Sequence, residues 1–118
     1  MSPVRHESLA RGRWFTFTLC EQMGHVGSEV GRALRWRERN RKISSDAVER
    51  AIELIDLTLD DPRHRRSAAR LREIARAREV LLDFFVGENA YRSDGSSLQR
   101  YFDAFAVAAA RERSLNPP

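Results

Sequence analysis

The stretch Phe15–Asn40, FTFTLCEQMGHVGSEVGRALRWRERN, decides the fold. Apolar side chains recur at Leu19, Met23, Val26, Val30 and Ala33/Leu34, a 4-3-4-3 rhythm that marks the seam of an amphipathic helix. Beside it runs a second stripe with the same rhythm: Cys20, Gly24, Gly27 and Gly31. An interior glycine costs a helix about 1 kcal/mol against alanine, so three of them cost about 3 kcal/mol. A helix tolerates that loss where another backbone passes close along the stripe. Close helix-on-helix contact is therefore the first expectation.

Three further helical segments follow. One opens at Ser44-Ser45-Asp46, where Asp46 and Glu49 have capping-box spacing, and carries the seam Val48, Ile52, Ile55, Leu59 to a stop at Asp60-Asp61-Pro62. The next runs from about Arg65 to Val86 on the seam Leu71, Ile74/Ala75, Leu82, Phe85, with Gly87 just past its end. After the turn-rich Gly87–Ser96, the last opens near Ser96/Ser97 and reaches about Arg113 on Leu98, Phe102, Phe105 and Ala109. No sustained period-two alternation appears, so the class is all-α. Short links between four helices predict an antiparallel up-down-up-down four-helix bundle over residues 14–113, with residues 1–13 and 114–118 as flexible tails.

A chain of 118 residues makes one domain large enough to bury a core. Its single cysteine allows no intrachain disulfide, and the place of Cys20 on the small-residue stripe reads as an inert thiol in a reducing compartment. Met1–Arg13 has no apolar signal-peptide core, and Val80–Val86, the longest apolar stretch, is interrupted by Asp83 and too short for a bilayer. A cytoplasmic protein without a membrane partner is expected. Apolar residues also lie off the seams, at Trp36, Leu54, Leu57, Val80 and Phe84. A helix apolar on two sides has two neighbours, and the simplest second neighbour is another copy of the chain. These five residues are the expected oligomer contacts.

Catalytic and metal readings find thin support. Glu49, Glu53, Asp56 and Asp60 line one edge of the second helical segment. With Glu79 and Asp83 facing them, Glu53 and Asp56 have the carboxylate pairing by which all-α nucleotide pyrophosphohydrolases hold Mg²⁺. The competing reading is ion pairing with arginines of the third segment or of a neighbouring copy. Glu21, His25 and Glu29 share a helix face, but the second Glu-x-x-His of a di-iron bundle is missing, and His6 and His64 lie near segment ends. There is no Gly-x-Ser-x-Gly elbow and no phosphate-binding glycine loop. Arg78 falls on the expected third seam and needs a carboxylate, from Asp56, Glu29 or Asp103. No catalytic residue, metal or cofactor is expected.

Net charge is only +4, yet it is sorted into blocks, and 20 of the 21 basic residues are arginine. One basic block, Arg35, Trp36, Arg37, Arg39, Arg41 and Lys42, sits at the end of the first helix, where the dipole favours cations. A second, Arg63, Arg65, Arg66, Arg70 and Arg72, falls at the expected start of the third helix, where the dipole disfavours them. In a bundle the same end collects Arg11, Arg13, Arg111 and Arg113. Cations held against a dipole point to an anionic partner, RNA or DNA phosphate, or to the acidic helix of another copy.

The residues EQMGHVGSEVGRALRWRERN, AVERAIELIDLTLDD, REIARAREVLLDFFVGENAY and LQRYFDAFAVAAARER together resemble a set of small bacterial four-helix-bundle proteins. That set groups the 23S rRNA intervening-sequence type with the accessory proteins of diversity-generating retroelements. The resemblance spans about residues 14–113 and is carried by Gly27-Ser28-Glu29-Val30 and Gly87-Glu88-Asn89-Ala90-Tyr91. It implies four-helix protomers assembled as a homo-oligomeric ring, a pentamer, with RNA as a partner. The Asn-Ile-Ala-Glu-Gly motif of the intervening-sequence branch is absent. The expectation is a non-enzymatic ring that binds RNA or DNA non-specifically through its arginine-rich end. A protein-binding scaffold or adaptor ring and a Mg²⁺-dependent nucleotide hydrolase are the alternatives.

Overall fold

Capping side chains set where each helix begins. The computed structural model describes residues 11–115, and these are mostly helical without any strand. A helical turn at 11–14 leads into α1 (Leu19–Trp36), α2 (Arg41–Leu59), the short α3 (Pro62–Arg65), α4 (Ala68–Phe85) and α5 (Gly95–Leu115). Thr18 forms a full capping box with Glu21, so α1 starts four residues later than the expected Phe15. Asn40 accepts a hydrogen bond from the Ile43 N–H at 3.1 Å and caps α2. The expected end of the first helix is thus the cap of the second. Asp46 does not cap; it lies inside α2 and pairs with Lys42 at 3.0 Å. Residues 1–10 and 116–118 of the expected tails, with His6, lie outside the described residues, whereas Arg11–Arg13 join the helical turn and Ser114–Leu115 extend α5.

Contacts between side chains give the helix directions. Ser44 donates to the Ala33 carbonyl at 2.8 Å and Gln22 to Asp61 at 2.9 Å, so α1 and α2 run oppositely. On the other side of α1, Gly24 faces Ala106, Gly27 faces Phe102 and Gly31 faces Gln99, so α5 also opposes α1. Arg70 reaches His64 near the start of α1, and Arg37 lies over Phe84 near its end, so α4 runs with α1. α1 is packed on both α2 and α5, and α2 on α4. The core is formed by Met23, Val26, Val30 and Ala33 with Ala51, Ile55, Ile74, Leu81, Leu98 and Phe102.

The buried stripe of α4 is Ile74, Ala77, Leu81 and Phe84, one position away from the expected Leu71–Phe85 seam. The rotation avoids burying a cation. With this stripe inward, Arg78 stands at the helix edge, its side chain 37% exposed, and meets Asp56 at 2.8 Å. Phe84, one of the expected oligomer contacts, is consequently buried in the core of its own chain. Val80 and Leu54 are half-buried against that core, and Trp36 and Leu57 are half-buried as well.

Tyr101 carries a buried hydroxyl whose nearby acceptor is the Glu73 carboxylate, though no bond of good geometry joins it to the described residues. Burial, with the nearby Glu73 charge second, pushes its pKa up to about 12. Tyr101→Phe removes both the desolvation cost of the hydroxyl and its interaction with Glu73, so the stability is expected to change by less than about 1 kcal/mol. Chemical denaturation of the two proteins side by side measures it.

Candidate nucleic-acid interface and the polar cluster beneath it

The end of the molecule that collects the arginines is built on a buried polar cluster. Asp61 and Pro62 end α2 and start α3 in one stroke: Asp61 accepts from the Arg63 N–H at 3.0 Å, and Pro62 occupies the first turn, where no N–H is needed. The Asp61 carboxylate, with its side chain 0% exposed, also accepts from Gln22 at 2.9 Å and from the Arg63 guanidinium at 2.6 Å. Burial works against its charge, but the hydrogen bonds from Arg63 and Gln22 outweigh it and hold the carboxyl far below the usual carboxylate range.

Gln22 and His64 complete the cluster. The Gln22 amide donates to the Trp14 carbonyl at 3.0 Å as well as to Asp61, and its oxygen lies 2.7 Å from His64 Nε2. With both amide hydrogens spent, the Gln22 oxygen is an acceptor, so Nε2 of His64 carries the proton. Nδ1 then faces the Arg70 guanidinium at 3.3 Å as an acceptor. This pattern holds the imidazole neutral. Burial lowers its pKa; the Asp61 charge opposes this, and the charges of Arg63 and Arg70 add to the lowering. Trp14 closes the cluster by donating to Thr58 Oγ1 at 3.0 Å.

The arginines above this cluster divide into engaged and open. Arg11 pairs with Asp60 at 2.9 Å, Arg63 with Asp61, and Arg113 with Glu21 at 3.8 Å. Arg65 donates to the Leu59 carbonyl at 3.1 Å, and Arg70 to His64. Arg13, Arg66, Arg72 and Arg111 are exposed and make no ion pair among the described residues. Contrary to expectation, most of these cations do not oppose a helix dipole: Arg63 and Arg65 lie in α3 and Arg66 caps its C-terminus, which leaves only Arg70 and Arg72 near the start of α4.

The second basic block is partly used in packing. The Arg37 guanidinium lies 4.5 Å from the Phe84 ring centre and 5.7 Å from that of Phe85, and Lys42 pairs with Asp46. Arg35, Arg39 and Arg41 are exposed beside half-buried Trp36. Three of the four carboxylates proposed for Mg²⁺ are engaged with other groups. Asp56 holds Arg78, Glu79 accepts from the Tyr91 hydroxyl at 3.0 Å, and Asp83 accepts from the Ala90 and Tyr91 N–H groups at 2.7 and 3.0 Å. Among the described residues no group of three or more histidines, cysteines or acids stands together to hold a metal ion. Glu21 is tied up in the α1 cap, and Cys20 is half-buried, its thiol pKa raised by burial and then by Glu112.

Sequence reading missed the cluster formed by Gln22, Asp61 and His64. One signal was present: Gln22 precedes Val26 by one turn and shares the apolar face of α1, the place where a polar side chain has to find partners. No helix among the described residues is long and apolar enough to cross a membrane. No family model, no curated protein and no solved structure matches this chain, so the reading of its function rests on the residues themselves.

Proposed function

We propose that this chain is a non-enzymatic, cytoplasmic four-helix-bundle protein that binds RNA or DNA through phosphate contacts at its arginine-rich end. The observation that carries the reading is the set of exposed arginines at that end that make no ion pair among the described residues: Arg13, Arg66, Arg72 and Arg111. Guanidinium groups that are spent on carboxylates contribute little to an anionic ligand, whereas open ones each neutralise a phosphate. Contacts of this kind carry no base sequence information. Assembly into a homo-oligomeric ring, a pentamer, belongs to the same proposal. It draws on the resemblance given above and on apolar surface of α5, where Val107 is 51% and Leu115 79% exposed.

The test is fluorescence anisotropy with a duplex DNA and a single-stranded RNA over a salt series. Four phosphate contacts give a slope of log affinity against log salt of about −3.6 on the duplex and about −2.8 on the single strand. The triple charge reversal Arg66→Glu, Arg72→Glu, Arg111→Glu is expected to abolish binding at moderate salt and to leave the helical content unchanged. Salt-independent affinity, or full affinity in the triple variant, removes the assignment. A second reading, a protein-binding scaffold ring, is favoured by the pairs Arg11–Asp60, Arg63–Asp61 and Arg113–Glu21, which already satisfy part of the cluster within one chain. It predicts no affinity for either probe.

A further inference from the structure

Trp14, Phe17 and His25 form a connected set of rings beside α1. The Phe17 and His25 centroids lie 4.9 Å apart, and Trp14 stands 5.7 Å from each. Trp14 is buried, Phe17 is half-buried and His25 is exposed. The rings border a groove of about 430 Å³ that reaches α2, where Leu54 and Leu57 line it. Arg13 and Arg50 line the same groove. Arg13 is also one of the open arginines of the basic end, so the groove continues the proposed phosphate surface.

Accessible π-faces between guanidinium groups are the composition that stacks bases and neutralises the phosphates joining them. A cavity of about 150 Å³ takes a benzene ring, so a groove of this size admits a base with its sugar. A duplex presents the same phosphates but keeps its bases inside. We infer that the groove binds single-stranded nucleic acid, with a base stacked on His25 and Phe17 and the flanking phosphates held by Arg13 and Arg50. This rests on the phosphate-binding reading of the arginine end. Glu29 also lines the groove and opposes a phosphate there, so Glu29→Gln tightens binding.

The test compares a short oligo(dT), an abasic oligonucleotide with the same number of phosphates, and a duplex of equal length at low salt. Stacking of one base makes oligo(dT) bind about tenfold more tightly than the abasic strand. His25→Ala, at an exposed position, removes that tenfold advantage and leaves abasic binding unchanged, and His25→Tyr restores it. Arg66→Glu, outside the groove, weakens both strands alike. Equal affinity for oligo(dT) and the abasic strand overturns the stacking inference while the phosphate reading stands. So does a duplex that binds tighter than oligo(dT). Absence of binding to any of the three overturns both. A lower oligomeric mass in Arg50→Ala, with oligo(dT) affinity unchanged, assigns the groove to a second copy of the chain and also overturns the inference.

Discussion

Asp61→Ala lowers the unfolding free energy by about 3 kcal/mol. Breaking a buried ion pair from one side costs about 3–5 kcal/mol, and the lower end applies because the Arg63 side chain is 43% exposed and regains water when its partner goes. What remains is the loss suffered by groups that cannot rehydrate. The Gln22 amide, 0% exposed, loses an acceptor, and the Arg63 N–H loses its cap. At about 4 °C per kcal/mol for a domain of this size, the melting temperature drops by roughly 12 °C, read by circular dichroism. Acid exposes the same cluster in two steps. His64 has a folded pKa below its ordinary 6.5, so the folded state binds that proton more weakly than the unfolded chain. Its share of the stability is intact above pH 6.5 and is lost as the pH falls below it. Asp61 has a folded pKa below 3.8, so its share is intact above pH 3.8 and lost below. His64→Gln is expected to remove the first loss and leave the second. An unchanged acid profile in that variant would show that His64 is not the group whose protonation opens the cluster.

Much of the helical content was legible because the apolar rhythm of the first two helices is regular, although in α2 Ala47, Ala51 and Thr58 are buried while Ile52 and Leu59 of the expected seam are half-buried. Met23, Val26 and Val30 are all buried, as their spacing requires. The buried stripe of α4 lies one position from the expected seam because its two apolar stripes adjoin, and hydropathy alone cannot choose between Leu82/Phe85 and Leu81/Phe84. The position of Arg78 decides it, since only one choice leaves the guanidinium at the rim. Boundaries were lost for a related reason. Thr18, Asn40 and Ser67 each act through one hydrogen bond to a nearby N–H, a signal that apolar periodicity does not contain. The arginine end was visible as composition, but which arginines are open depends on pairs such as Arg11 with Asp60, 49 positions away. The polar cluster joins α1 to α3 and α4 and exists only once those elements meet.

Gly27→Val destabilises the fold by about 3 kcal/mol, the upper end of the usual cost of overpacking, even though it removes an interior helical glycine. A Cβ at Gly27 would stand 2.8 Å from Phe102 Cβ, an atom fixed to the α5 backbone that cannot swing aside. Either α5 retreats from α1 or Phe102, one of the largest fully buried side chains, leaves its site. Gly27→Ala meets the same contact with less bulk, and the gain of about 1 kcal/mol in helix propensity offsets part of the strain, for a net loss of about 1 kcal/mol. The other two stripe glycines should respond with the opposite sign. At Gly24 the nearest atom, Ala106 Cα, is 3.4 Å away, and at Gly31 the 2.9 Å contact is the amide oxygen of Gln99, the far end of a flexible side chain. Gly24→Ala and Gly31→Ala are therefore expected to stabilise by about 0.5–1 kcal/mol. A double-mutant cycle isolates the contact: in a Phe102→Ala background, Gly27→Ala loses its penalty and becomes favourable. Equal effects at all three positions would mean that α5 does not approach most closely at Gly27. The close approach needs glycine at one point of the stripe, and the small residues on either side of it only keep the rest of the two helices from interfering.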